Sequence, residues 1–325
     1  MHLTIFGAGG VGGYIAAKIG PAVGTAGSPF REFSVVARGS HLATIQREGL
    51  TYIDPYGSTS TVYPNVASAE VKRFPTPEFV VLAVKGYDLE LATDHLAERI
   101  GANTPILPLL NGADIDERVR ARLGGRGIVL PGAIYIGAFI EQPGRVRHAG
   151  GPGAVVLGRS PDNPEYKPNE FLTACETAGI PVEWRDDPAP AIWEKFLFIA
   201  PFSLVTAISD KPIGEVLKDD ELARDVRAIM SEAATIAHTK GVALPENIVD
   251  AVMEKAAGFP AGMTTSFQRD IAAGAARDER DIFSGSILRL GESLGVPTPV
   301  TERYTKALPD PPAQTGGTAP QNGAD

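Results

Sequence analysis

The chain has 325 residues, 43% of them apolar and 21% charged, which suits about two globular domains with a full hydrophobic core. A net charge of −9 argues against nucleic acid as a partner, so any anionic ligand has to be met by locally placed cations. The single cysteine, Cys175, excludes an internal disulfide, and five scattered histidines give no Cys/His ligand spacing; no metal is assigned, and a carboxylate metal site is left open.

The chain opens on MHLTIFGAGG, strand-like from the start, without the basic stretch and long apolar run of a signal peptide. No run of about 18 uninterrupted apolar residues marks a membrane span. The longest apolar stretch, residues 196–208, contains Pro201. These features predict a cytoplasmic protein with no membrane partner.

The first half alternates strands and helices. Residues 3–6 form an apolar run that ends in glycines, and a helical pattern follows over 11–19. Residues 20–29 read as a loop and 33–37 as a second strand. The runs 79–84 and 106–110 are apolar throughout, as in strands buried on both faces. Helical patterns cover 89–100 and 115–123. This order predicts a Rossmann-type, doubly wound parallel sheet. Residues 128–140, 146–148 and 155–157 read as antiparallel strands added to it, with Pro143-Gly144 as a turn.

Beyond 187 the strand signal ends. Residues 189–208 are apolar nearly all round, the mark of a buried helix. Asp219 or Asp220 caps the next helix, which runs towards Gly241, and Pro245 opens another. Phe283, Ile287, Leu290 and Leu294 line a later helix. The predicted organisation is an α/β dinucleotide-binding domain over 1–187 and an all-helical substrate and catalytic domain over 188–308. The tail, 309–325, contains no Leu, Ile, Val or Phe and is expected to be disordered.

The strongest motif is Gly7-x-Gly9-x-x-Gly12 between the first strand and the first helix. There Gly7, Ala8, Gly9, Gly10, Val11 and Gly12 would wrap a pyrophosphate at a helix N-terminus. The second strand leads to Arg38, where NAD-binding relatives of this motif carry a carboxylate. A guanidinium there favours a 2′-phosphate, and so NADP(H).

These motifs and several downstream resemble the ketopantoate reductase (2-dehydropantoate 2-reductase) family over about residues 1–308. The strand at 79–84 runs into Lys85 and the next strand into Asn111-Gly112, matching the family's Val-Lys and Asn-Gly. The resemblance implies cofactor contacts for Lys85 and Asn111, a substrate contact for Asn111, and backbone packing against the cofactor at Ala138. It gives His148 no proton-transfer role. Trp193-Glu194-Lys195 matches the family's Trp-x-Lys, implying that Lys195 binds substrate and donates the proton; an ammonium suits the alkoxide that hydride addition creates. Thr265-Ser266-Phe267 and the following Asp270 resemble a Ser-Ser-Met…Asp segment, which implies that Ser266 binds the substrate carboxylate. Glu279, in Asp278-Glu279-Arg280-Asp281, matches the site glutamate, with a role towards Lys195 or the cofactor. Leu294-Gly295-Val296-Pro297-Thr298-Pro299 resembles the family's final helix junction.

Two positions depart from the family. Its buried helix carries asparagines where this chain has Ile199 and Ser203, and Ser203 is the shorter donor to substrate. The reading is therefore NADPH-dependent reduction of a small 2-oxo acid, 2-dehydropantoate to (R)-pantoate in pantothenate biosynthesis. A different 2-oxo acid or ketone, and a non-enzymatic NADP sensor, are the alternatives. Monomer and homodimer are both left open.

Overall fold

The computed structural model describes residues 1–311. The predicted tail lies outside the described residues apart from 309–311. The described residues divide into two compact units, which meet in sequence between Phe196 and Leu197.

In chain order the first unit contains β1 (His2–Phe6), α1 (Gly10–Ile19), β2 (Glu32–Val36), α2 (Gly39–Glu48), β3 (Leu50–Ile53), β4 (Thr59–Val62) and β5 (Val66–Ser68). It continues through β6 (Phe79–Leu82), α3 (Leu89–Ala97), β7 (Pro105–Pro108), α4 (Ile115–Leu123) and β8 (Ile128–Val129). It ends with β9 (Gly132–Gln142), β10 (Arg145–Gly158), α5 (Asn169–Thr177), β11 (Val182–Arg185) and the first turns of α6 (Ala189–Ser209).

The main sheet has the order β5-β2-β1-β6-β7-β8 and is parallel throughout. Its central strands bury both faces: FVVL is a continuous apolar run, and in HLTIF the polar His2 and Thr4 are buried along with their apolar neighbours. From β1 the chain builds outwards to β2 and β5 on one side and to β6, β7 and β8 on the other. The reversal puts a ligand crevice at the carboxyl ends of β1 and β6. Phe79 of β6 stacks on Phe171 of α5, with centroids 4.6 Å apart and planes 5° from parallel, and so fixes that helix on the sheet.

The antiparallel pair expected after residue 128 is present as the β9–β10 ribbon, joined at Pro143-Gly144. It belongs to a second sheet, β11-β10-β3-β4 with β9 on β10, rather than to the edge of the first. Only β8 extends the main sheet, as a parallel strand. The separate runs 146–148 and 155–157 are one strand, β10, with register shifts around Gly150. Glycines there interrupt the apolar pattern without ending the strand.

The second unit holds the rest of α6, then α7 (Ile213–Val216), α8 (Asp220–Thr239), α9 (Ile248–Ala257) and α10 (Ser266–Ala272). A π-helical turn, Asp281–Gly285, runs into α11 (Ser286–Leu294), and α12 (Pro299–Ala307) follows. Asp219 caps α8 by accepting from the Glu221 and Leu222 amides, at 3.1 and 3.2 Å. Glu232 of α8 accepts from the Val300 and Thr301 amides, at 2.7 and 3.0 Å, and so caps α12. Pro245 precedes its helix rather than opening it: its carbonyl accepts from Ile248 at 3.1 Å in a turn, and α9 starts at Ile248.

Strands give way to helices at Asp187, but the packing boundary falls inside α6, because its first turns are tied to the first unit. Tyr135 Oη donates to the Ala191 carbonyl at 2.9 Å. As a helix, α6 is long and apolar enough to cross a membrane, although no uninterrupted run in it is; 67% of its most apolar window is buried inside the protein. Phe196, Leu197, Ala200, Phe202 and Leu204 are all buried, as in a core helix.

Candidate active site

The glycine loop sits at the carboxyl end of β1. Gly7 has φ +103°, in the left-handed region, and a Cβ on Gly12 would lie 1.9 Å from the Gly7 carbonyl oxygen. The turn and the approach of α1 to the strand therefore both require glycine. Gly10 packs so closely on Ala138 of β9 that a Cβ would come within 2.2 Å of the Ala138 carbonyl oxygen. Around Gly9, in contrast, the Cβ direction is open for 4 Å. Gly9 is the N-cap of α1 and carries no side chain to cap it. The first amides of the helix, around Gly10, Val11 and Gly12, thus form an anion cradle that fits a pyrophosphate.

Arg38, Lys85 and Asn111 follow β2, β6 and β7, on the same edge of the sheet as the glycine loop. Ala8 N donates to the Val36 carbonyl at 2.8 Å, which ties the loop to the end of β2. Arg38 is exposed, and its guanidinium pairs with the Asp88 carboxylate. Lys85 is exposed at the start of the Gly86–Asp88 turn, and its carbonyl accepts from Asp88 N at 2.9 Å.

The structure brings together two candidates that lie 84 residues apart. Lys195 Nζ donates to Asn111 Oδ1 at 2.9 Å. Lys195 is half-buried on the first turns of α6, beside the buried Trp193, and Nζ lies 5.9 Å from the centre of the Tyr135 ring. Burial, reinforced by the Glu194 carboxylate, pushes the Tyr135 phenol up to about 12. Tyr135 was not visible as a site residue in the sequence. Its signal would have been an aromatic in the strand that carries Ala138.

The remaining candidates lie in the second unit. Ser266 is the first residue of α10, whose N-cap Thr265 accepts from Gln268 N at 3.0 Å. The Thr265 hydroxyl is 3.1 Å from that of Thr206 on α6, so the start of α10 is fixed to that helix. Glu279 is buried just before the π-helical turn and flanked by the Asp278–Arg280 ion pair. Such a turn often marks a functional position. Ile199 is half-buried. Ser203 is fully buried, and its hydroxyl has no hydrogen-bond partner among the described residues.

His41 is a further residue that the sequence did not single out. From the first turn of α2 its Nε2 lies 2.8 Å from the Ala8 carbonyl, and its Nδ1 accepts from Gly144 N at 2.9 Å. Accepting at Nδ1 places the ring proton on Nε2, which donates to Ala8. The neutral ring thus joins the glycine loop to the β9–β10 turn. Burial holds its pKa below the ordinary histidine value, against the smaller upward pull of the Ala8 bond. His148, by contrast, braces β10. It bonds Tyr52 Oη at 2.9 Å and the Gly150 and Gly151 carbonyls at 3.0 and 2.9 Å. Among the described residues no group of three or more His, Cys, Asp or Glu could hold a metal ion.

Comparison with known proteins bears on the family and the fold. The family model for ketopantoate reductase PanE/ApbA matches residues 3–162, and that for its C-terminal part matches 188–309. The 2-dehydropantoate 2-reductase of Mesorhizobium japonicum is 27% identical over 322 residues, spanning 93% of this chain and 95% of the relative. The solved structure of a PanE/ApbA family ketopantoate reductase from Ralstonia eutropha JMP134 has a TM-score of 0.83 at 26% identity, over 95% of this chain and 97% of that one. A D-mandelate dehydrogenase solved with NADH and anilino(oxo)acetate shares the fold, with a TM-score of 0.77 at 21% identity over 95% and 97% of the two chains. The chain belongs to the ketopantoate reductase family of oxidoreductases.

Proposed function

We propose that the protein is an NADP(H)-dependent 2-dehydropantoate 2-reductase, giving (R)-pantoate for pantothenate biosynthesis, with Lys195 as the proton donor. The observation that carries the reading is the hydrogen bond from Lys195 Nζ to Asn111 Oδ1, at 2.9 Å on the ligand edge of the sheet. It supports a cation held where an oxyanion forms.

Bound NADPH supplies the hydride that reduces the keto carbon. The Gly7–Gly12 backbone holds its pyrophosphate, Arg38 meets its 2′-phosphate, Lys85 adds positive charge, and Ala138 and Asn111 line its path. As negative charge grows on the substrate oxygen, the Lys195 ammonium stabilises it and transfers a proton from Nζ. Water then reprotonates the amine. The substrate has gained a hydride and a proton, and the product is a 2-hydroxy acid. We assign Ser266 to the substrate carboxylate, Ser203 to a lesser substrate contact and Glu279 to Lys195 or the cofactor. Residues 1–187 then serve the cofactor and 188–308 the substrate. A cytoplasmic setting suits the one thiol, Cys175, which is buried with its pKa pushed up to about 12.

The test is steady-state oxidation of NADPH by the purified protein with 2-dehydropantoate. Turnover that also depends on Lys195 is expected, and no turnover at saturating substrate overturns the reading. One observation favours a second reading, a different 2-oxo acid: half-buried Ile199 has no polar group for a substrate hydroxyl, and Ser203 is fully buried. A panel of 2-oxo acids in the same assay separates the two.

A further inference from the structure

We propose that Asp88 is a positioning residue for Arg38 and so sets the preference for a cofactor carrying a 2′-phosphate; this rests on the role given to Arg38 above. Asp88 ends the Gly86–Asp88 turn and occupies the N-cap of α3. An aspartate there ordinarily accepts from amides of the first helical turn. This one makes no such cap bond; its carboxylate accepts from Arg38 Nη2, across from β2.

The two side chains differ in freedom. That of Asp88 is 7% exposed, whereas that of Arg38 is 63% exposed. A long exposed arginine samples many rotamers, and an anchor at one end of its fork reduces the entropy lost when the other donors bind an anion. The anchor holds the guanidinium at the end of β2, beside the loop that Ala8 ties to Val36. The carboxylate charge also opposes an incoming phosphate, so its two effects have opposite sign and separate by substitution. Asp88→Asn keeps an acceptor without the charge. Asp88→Ala removes both.

The experiment is equilibrium titration of wild type, Asp88→Ala, Asp88→Asn and Arg38→Ala with NADPH and with NADH, read by cofactor fluorescence. Both cofactors share every contact except those of the 2′-phosphate, so general damage to α3 or the glycine loop cancels in the ratio of their Kd values. The NADPH preference should fall about tenfold in Asp88→Ala and be kept or raised in Asp88→Asn. An unchanged preference in Asp88→Ala beside a collapse in Arg38→Ala overturns the role of Asp88 alone. So does an equal fall in Asp88→Asn. A wild type without NADPH preference, or an Arg38→Ala variant that keeps it, overturns the reading of Arg38 and this inference with it.

Discussion

Lys195 Nζ sits 2.9 Å from Asn111 Oδ1, joining the first turns of α6 to the loop that follows β7. With the Tyr135–Ala191 bond, the contact ties the first turns of α6 to the first unit, which extends to Phe196. A lysine near the start of an apolar helix could point to solvent; here it is half-buried, bonded to an amide oxygen and close to the face of Tyr135. The amide can orient the ammonium without neutralising it, as a carboxylate would.

Lys195→Ala should therefore lower kcat with 2-dehydropantoate by about 10²–10⁴-fold, the usual worth of a positioned proton donor, and leave the Kd for NADPH within about twofold. Asn111→Ala should lower kcat less and raise the KM for substrate, since it removes one orienting partner and leaves the ammonium. Pre-steady-state turnover and cofactor titration measure the two effects separately. If Lys195→Ala turned over normally, the proton would have another source.

The fold beneath this site was only partly legible. The main sheet was readable because fully buried strands such as FVVL are continuous apolar runs, and Lys85 and Asn111 stand where those runs meet polar residues. The pairing of Lys195 with Asn111 is a tertiary contact across 84 residues, with no local signature. The strands β3, β4, β5 and β11 escaped because they are short or half-exposed; TSTV, for example, buries only Val62. In α2 only Ile45 is buried, so its apolar face is too thin to read, and His41 on its first turn was missed with it. The helix α5 fully buries only Phe171, Ala174 and Cys175, with Leu172 partly buried beside them.

That thin face makes α5 a clean place to test packing. Phe171 is fully buried and stacks flat on Phe79. Phe171→Ala should cost about 3–5 kcal/mol of stability through lost burial and the cavity left behind. Urea denaturation followed by circular dichroism measures it. A cost below about 1 kcal/mol would mean that α5 is held by something other than this stack.

Ile199 bears on which keto acid fits. If no other group binds the hydroxyl of 2-dehydropantoate, the wild type should prefer it over a 2-oxo acid lacking that hydroxyl by less than about tenfold. Ile199→Asn should raise that preference by about tenfold, read as the ratio of kcat/KM values. A strong preference in the wild type would show that another residue supplies the contact.

His41 couples the glycine loop to pH. Its pKa in the folded chain is held below the ordinary 6.5 by burial. The unfolded chain therefore takes up the proton more readily, and the contribution of His41 to stability is complete above about pH 6.5 and lost as pH falls towards the lower folded value. Protonation also ends acceptance from Gly144 N, since both ring nitrogens then carry hydrogen. Buried His2 is shifted in the same direction, so thermal denaturation alone would mix the two histidines. Binding of NADH, which has no 2′-phosphate to titrate, isolates the loop. Wild-type affinity should weaken as pH falls from about 7 to about 5. His41→Ala should bind roughly fivefold more weakly at pH 7, in line with one lost hydrogen bond, and its affinity should stay flat over that range. A variant that kept the wild-type pH profile would place the titrating group elsewhere and leave His41 as a spacer between α2 and the β9–β10 turn.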